Sequence, residues 1–309
     1  MAAPVSRRAG SVVVLGGAGF LGRRICAALN GSGHRVTAVT RGPARPVHGA
    51  RTVVLDVLTG PMDELASVVG AADAVINAAG DTWEGTTAAM TASHVPLVER
   101  LIEAMAPAPG TPRLVQLGSV HEYGRAPFGT VIGEDHPTVP TTAYGRTKLA
   151  GARMILDATA QGRIDGCVLR LANVCGPGAP RRSFLGGLAE RLRDTAPTGA
   201  PLSLQVAAEG RDFVDVDDVA SAVVRSLTAP VSGRVVNIGG GSAIGMRELA
   251  RLLITAAGFP SELVEEECFL SAGGSTRLDI RLAGELLGWT PGTALSDSVR
   301  RQWETYAQG

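Results

Sequence analysis

The sequence is poor in features that announce a membrane, a metal or a nucleic-acid partner. It holds no run of about 18 uninterrupted apolar residues, so no segment reads as a transmembrane helix. Lysine plus arginine and aspartate plus glutamate stand at 29 each, which leaves no basic field to draw nucleic acid or an anionic bilayer. The four cysteines, Cys26, Cys167, Cys175 and Cys268, show no CxxC spacing and lie in apolar or helical contexts. They read as buried free thiols in a reducing cytoplasm. The five histidines are scattered, so the clustered ligands of a metal site are missing. Met1–Gly10 carries two arginines, but the apolar run after it is short and enters a glycine loop. That run reads as a strand and not as a signal peptide. There is no internal repeat. The expectation is a soluble cytoplasmic protein without metal, membrane or nucleic-acid ligand.

What is present is an alternation of β-branched runs and helical patterns through the first 175 residues. Strands are expected at Ser11–Leu15, Arg35–Thr40, Thr52–Asp56, Ala74–Ala79, Arg113–Ser119 and Cys167–Val174. Helices are expected at Phe20–Asn30, Pro61–Val69, Ala88–Met105 and Thr142–Gln161. Continuous apolar strands alternating with helices predict a doubly wound parallel sheet covered on both faces. Glycine, proline and arginine crowd Gly176–Pro201, which predicts a loop-rich lobe. Phe213–Leu227 and Val235–Ile238 look like a return to the main sheet, and helices close the chain at Leu278–Leu287 and Leu295–Ala307. Residues 1–175 with 213–240 are therefore expected to form one domain. Residues 176–212 and 241–309 form a smaller, discontinuous lobe.

Gly16-Gly17-Ala18-Gly19-Phe20-Leu21-Gly22 joins the first strand to the first helix. Gly16 permits a tight turn, Gly19 lets backbone approach a pyrophosphate, and Gly22 brings the helix onto the strand. The helix N-terminus then faces the phosphates. An acid at the end of the second strand would bind a ribose 2′-hydroxyl and repel a 2′-phosphate. Here that strand ends in Thr40-Arg41, which can hydrogen-bond and pair with a phosphate. NADP(H) is therefore expected in preference to NAD(H). Asp56 either accepts from the adenine amino group or caps the next turn.

Tyr144 and Lys148 stand four residues apart and share a helix face. A phenol is too weak an acid for proton transfer near neutral pH unless a nearby cation stabilises its phenolate. With Lys148 beside it, Tyr144 can protonate a ketone oxygen as hydride reaches the carbon, and Lys148 can also bind the nicotinamide ribose. Ser119 ends the fifth strand, at the carboxyl edge where open parallel sheets bind ligands, and its hydroxyl can hold the substrate oxygen.

In this order and context the motifs resemble those of the extended short-chain dehydrogenase/reductases, the nucleotide-sugar epimerase/dehydratase family. Leu169–Gly178 (LRLANVCGPG), Arg211–Ala220 (RDFVDVDDVA), Val236–Gly239 (VNIG) and Leu286–Pro291 (LLGWTP) resemble further segments of it, so nearly the whole chain is covered. The resemblance implies an α/β fold, a Rossmann-type doubly wound parallel sheet with a smaller discontinuous C-terminal substrate-binding lobe. It implies that Phe20, Leu21, Val57, Ala78, Ala79 and Gly80 join Gly16, Gly19, Gly22, Thr40, Arg41, Asp56 and Lys148 around the cofactor. Arg211 would contact a nucleotide diphosphate, Asn173 would lie near the sugar phosphate, and Arg277 would be a second phosphate or nucleotide contact. By their place at strand ends, Asp81, Thr82 and Trp83 are expected to cover the nicotinamide or the sugar. His121 either orients a sugar hydroxyl or assists proton delivery, or is a loop histidine bonded to backbone. Arg181, Arg182 and Phe184 lie where a base could be clamped. The 4,6-dehydratases carry Asp-Glu directly after the strand-end hydroxyl; here Val120 and His121 stand there, which argues against dehydration. Glu122 and Tyr123 are expected to pack or cap. GSVHEYG with INAAG resembles the 4-ketoreductases of deoxysugar biosynthesis, which act on dTDP-4-keto-6-deoxyhexoses on the way to decorated secondary metabolites such as antibiotics. The family also implies a homodimer. An NAD-dependent epimerase, a reductase of another ketone and a non-catalytic NADP(H) sensor are the alternatives.

Overall fold

The computed structural model describes residues 10–80, 87–108, 110–269, 274 and 276–308, with backbone alone for 87–93. The first half alternates as the hydrophobic pattern predicts: β1 (Ser11–Leu15), α1 (Phe20–Gly31), β2 (Arg35–Thr40), β3 (Ala50–Val54), α2 (Met62–Gly70), β4 (Ala74–Asn77), α3 (Thr87–Met105) and β5 (Arg113–Ser119). Then come β6 (Val131–Ile132), α4 (Ala143–Ala160), β7 (Asp165–Leu171), β8 (Asn173–Cys175), α5 (Phe184–Thr195), β9 (Leu202–Ala207), β10 (Gly210–Asp215) and α6 (Val216–Ser226). The chain closes with β11 (Val235–Ile238), β12 (Ala243–Gly245), α7 (Met246–Ala256), β13 (Val264–Phe269), β14 (Arg277–Leu278), α8 (Arg281–Leu287) and α9 (Leu295–Ala307).

Seven strands make the main sheet, in the order β11-β7-β5-β4-β1-β2-β3. The pairs β1–β2, β1–β4, β2–β3 and β4–β5 are parallel. β1 (SVVVL) and β4 (AVIN) are mostly apolar and almost wholly buried, as strands covered on both faces are. β3 is the edge, where burial is lost and Val54 is exposed. The fold is thus the expected α/β doubly wound sheet.

Four expectations need correction. The run Cys167–Val174 is two strands: β7 stays in the main sheet, and β8 leaves it after Ala172, whose N–H donates to Ile238 O at 2.8 Å. Within Phe213–Leu227, β10 does not return to the main sheet. It pairs in parallel with β8 (Phe213 opposite Asn173) and antiparallel with β12 in a three-stranded sheet. Only β11 takes a place in the large sheet. Gly176–Pro201 is not mainly loop, since α5 occupies its middle, capped by Ser183 Oγ accepting from Gly186 N–H at 3.0 Å. Finally, Cys26, Cys167 and Cys175 are buried, but Cys268 is exposed on β13.

The chain divides into two compact units. One comprises Met1–Leu117, Ala150–Val168 and Ser226–Arg234; the other comprises Gly118–Leu149, Leu169–Arg225 and Val235–Gly309. The first is built on a core of Leu15, Leu65, Val75, Leu101, Leu114 and Ile155. The second is built on Leu188, Leu192, Leu204, Leu249, Leu253 and Val299. The divisions between the units fall inside β5, α4, β7 and α6 and just before β11.

Candidate active site

In the first unit, β1 ends at Leu15 and the chain turns through the glycines into α1. Gly16 has φ +73°, and a Cβ there would lie 2.8 Å from Ala78 O, so neither conformation nor space admits a side chain. At Gly22 a Cβ would run into Gly16 O, which is why the first turn of α1 can rest on the loop. α1 has Gly19 as its N-cap, with no capping side chain and no acid in its first turn. Its N-terminal N–H groups and positive dipole end suit an anion.

A cavity of about 370 Å³ is lined by this loop, by Val39–Ala44, by Leu55–Leu58, by Ala78–Gly80 and by His94 and Leu97. Of the expected cofactor residues, Gly16, Gly19, Thr40, Arg41, Asp56, Val57, Ala78, Ala79 and Gly80 line it. Phe20, Leu21 and Gly22 do not, and Lys148 belongs to the second unit. Thr40 is turned inward, its Oγ1 donating to Gly42 O at 2.9 Å, which leaves Arg41 as the cation of that wall. Asp56 lies beyond β3 and not at its end. Its Oδ1 accepts from Leu58 N–H (2.8 Å) and Thr59 N–H (3.3 Å), so it caps the turn. The Leu58 N–H above all, with the Arg41 guanidinium adding to it, holds this carboxyl below the usual range. His94 and Leu97 escaped the sequence reading. Their signal is a spacing of three on α3, which puts both on one helix face, but the pattern reads equally as core. A glycine cradle, a helix N-terminus without a capping side chain, and Arg41 rather than an acidic residue just after β2 together fit a nicotinamide dinucleotide.

In the second unit, Ser119 ends β5 in extended conformation, and a 3-10 turn, Val120–Glu122, follows at once. Ser119 Oγ accepts the His121 N–H at 3.3 Å, and Ser119 N–H donates to Glu122 Oε1 at 2.7 Å. Tyr144 stands in the first turn of α4, and Lys148 follows one turn later with Nζ 5.8 Å from the Tyr144 ring centroid. The His121 ring meets Tyr144 edge-on, centroids 5.8 Å apart. Gly145 makes this approach feasible, because a Cβ there would collide with His121 O. Ser119, His121, Tyr144 and Lys148 are thus gathered by one close contact between the 3-10 turn and α4. Burial pushes the His121 imidazole down to about 4, and the Arg211 guanidinium pushes the same way, so the ring is neutral at physiological pH.

The remaining expected substrate residues are less concentrated. Asn173 Nδ2 donates to Asp212 O at 2.9 Å and ties β8 to β10. Arg211 pairs with Glu209, and both charges bear on His121. Arg277 donates to Gly241 O at 3.0 Å. Arg181 pairs with Glu190 at 2.8 Å, and Phe184 packs on the core of the second unit. Trp83, with Asp81 and Thr82, lies outside the described residues. Glu122 and Tyr123 do cap and pack, as expected: both are buried, and Tyr123 OH donates to Asn237 Oδ1 at 2.8 Å. Among the described residues no cluster of three or more His, Cys, Asp or Glu side chains could hold a metal, and no helix is long and apolar enough to cross a membrane.

The chain is similar to several known proteins. A dTDP-6-deoxy-L-talose 4-dehydrogenase (NAD(P)(+)) of Kitasatospora kifunensis is 42% identical over 300 residues, covering 94% of each chain. The structure of MoeE5 in complex with UDP-glucose and NAD superposes with a TM-score of 0.82 at 28% identity, covering 97% of this chain and 99% of that one. UDP-glucuronic acid 4-epimerase from Bacillus cereus, in complex with NAD, shares the fold with a TM-score of 0.81 at 22% identity, covering 96% and 99%. Residues 12–239 match the NAD dependent epimerase/dehydratase family as a whole, and with that match, on top of the glycine loop and the gathered Ser119, Tyr144 and Lys148, the chain belongs to this family.

Proposed function

We propose that this protein is an NADP(H)-dependent ketoreductase that reduces the 4-keto group of a nucleotide-activated, dTDP-linked 4-keto-6-deoxyhexose. The observation that carries the reading is the gathering of Ser119, Tyr144 and Lys148 around a neutral His121 where a dehydratase would place an acid. The Kitasatospora relative is named for oxidation at carbon 4 of a dTDP-6-deoxysugar with either nicotinamide cofactor. Hydride transfer is reversible, so the reverse of that reaction is a 4-ketoreduction.

A bound dinucleotide supplies the hydride. Residues 1–175 with 213–240 would hold it, through the glycine loop, Arg41 and Ala78–Gly80, with Lys148 on the ribose. Residues 176–212 and 241–309 would hold the nucleotide sugar, with Asn173, Arg211, Arg277 and Trp83 as contacts. Ser119 donates a hydrogen bond from its hydroxyl to the keto oxygen, keeping its proton, and fixes the oxygen's position. Tyr144 delivers the proton that completes the alcohol, and Lys148 stabilises the phenolate left behind. His121, neutral, orients a sugar hydroxyl. The proposal includes a homodimer in the cytoplasm.

The test is loss of nicotinamide absorbance with freshly generated dTDP-4-keto-6-deoxyglucose, with NADPH and NADH side by side. Stoichiometric consumption, faster with NADPH, is the expected result. Turnover of a nucleotide sugar without consumption of added cofactor would sink the ketoreductase reading in favour of an epimerase. Tight NADP(H) binding without turnover would favour another keto substrate or a sensor.

A further inference from the structure

Glu122 is fully buried and uses both carboxylate oxygens. Oε1 accepts the Ser119 backbone N–H at 2.7 Å, and Oε2 accepts Arg170 Nε at 2.7 Å. Arg170, on β7, is itself 4% exposed, and its guanidinium lies 4.5 Å from the Tyr123 ring centroid. Tyr123 OH in turn donates to Asn237 Oδ1 on β11 at 2.8 Å. The last residue of β5, Ser119, is thus not left to a flexible loop. Its backbone is clamped by a carboxylate that is held by a cation, and that cation rests on an aromatic ring anchored to another strand.

A stability role alone leaves one feature unexplained. A buried ion pair is seldom worth more than an apolar pair of the same volume, and keeping one requires that every polar atom be satisfied. Here the pair ends on the backbone N–H of Ser119, the residue whose hydroxyl the proposed reaction uses. The same turn directs the His121 N–H onto Ser119 Oγ, so the backbone of 119–122 fixes which lone pair of the hydroxyl is occupied. A hydroxyl that accepts on one side keeps its proton to donate on the other.

We propose that Glu122, held by Arg170, is a positioning residue for Ser119: it fixes the strand-end backbone so that the Ser119 hydroxyl points at the reacting oxygen. It touches no substrate and moves no proton. The inference rests on the catalytic role proposed for Ser119.

The test is a double-mutant cycle with steady-state kinetics in the NADPH-linked assay. Glu122→Gln keeps the size and an oxygen for the Ser119 N–H but loses the charge that ties it to Arg170. It is expected to lower kcat roughly tenfold to a hundredfold while KM moves by less than about twofold. In a Ser119→Ala background the same substitution is expected to have no effect, because it acts only through the hydroxyl. The paired change Glu122→Met with Arg170→Met restores an apolar core and removes the clamp. It is expected to stay folded and still show the loss in kcat. Full kcat in Glu122→Gln, an undiminished effect in Ser119→Ala, or full activity in the double methionine variant would overturn the proposal and leave a purely structural pair. Hydrogen exchange at the Ser119 amide reads the clamp without activity: slow in the parent protein and fast in the double methionine variant. Slow exchange in both overturns the proposal. If the clamp is seen by exchange but Ser119→Ala retains full kcat, it is the catalytic reading of Ser119 that fails.

Discussion

Tyr144 sits in the first turn of α4 with an ammonium 5.8 Å from its ring and an imidazole edge-on. If its oxygen is the proton donor, Tyr144→Phe removes the proton and little else. Turnover is expected to fall roughly a hundredfold to ten-thousandfold, with dinucleotide affinity retained, as read by kcat and by titration of bound cofactor. Arg41 is testable at the same scale. Thr40 is occupied with Gly42, so any preference for a 2′-phosphate rests on the Arg41 guanidinium. Arg41→Glu is expected to shift the NADPH-to-NADH ratio of kcat/KM by roughly tenfold to a hundredfold toward NADH, the worth of a charged hydrogen bond. An unchanged ratio would place the discrimination elsewhere.

His121 carries a pH signature. Its folded value near 4 lies below the ordinary 6.5, so the unfolded chain binds a proton that the folded chain refuses. The protein is expected to hold full stability with respect to this group above about pH 6.5 and to lose it as pH drops toward 4. Urea unfolding across that range, compared with His121→Gln, isolates the group: the variant should show the shallower acid-side decline. Parallel curves would mean that the ring is not desolvated.

At the scale of elements, the contact between the 3-10 turn and α4 decides whether the site exists. The Tyr–Lys spacing was legible because four residues make about one helical turn. The glycine loop was legible because its positions demand a missing Cβ. The approach of His121 to Tyr144 was not, since it depends on Gly145 meeting a carbonyl 24 positions earlier, and a glycine inside a helix pattern carries no sign of its partner. Gly145→Ala is expected to push α4 off the turn. Stability should fall by roughly 1–3 kcal/mol, the range for overpacking, and kcat should fall while dinucleotide binding in the first unit persists. Equal activity in the alanine variant would show that the turn can yield. The fate of β10 follows the same logic. Its strand residues, GRDFVD, name no partner, and only the departure of β8 from the main sheet decides it.

At the scale of the whole molecule, each unit has its own core, and the second depends on the last helix of the chain. Val299 and Tyr306 of α9 belong to that core, and Tyr306 OH donates to Ala179 O at 2.9 Å. Ser298 Oγ and Arg301 Nη2 both donate to Asp215 Oδ2, the latter at 2.7 Å. Asp215→Asn weakens two of these bonds at a nearly buried acceptor and is expected to cost about 1–3 kcal/mol in urea unfolding. A loss below about half a kcal/mol, the range of ordinary surface changes, would show that apolar packing alone holds α9.

The sequence by itself determined what local chemistry encodes. Unbroken β-branched runs specify buried parallel strands, glycines without room for Cβ specify the dinucleotide loop, and a four-residue interval puts Tyr144 and Lys148 on one face. Tertiary structure alone decided which distant groups meet. His94 lines the cavity beside Gly80, Asp56 caps a turn, Thr40 turns to Gly42, β10 joins a second sheet, and Glu122 closes on Arg170 beneath Ser119. The reason is physical: backbone dihedrals and hydrophobic period are properties of neighbouring residues. The partner of a buried carboxylate or of a strand edge is chosen by the burial of the whole chain, which excludes water from every alternative.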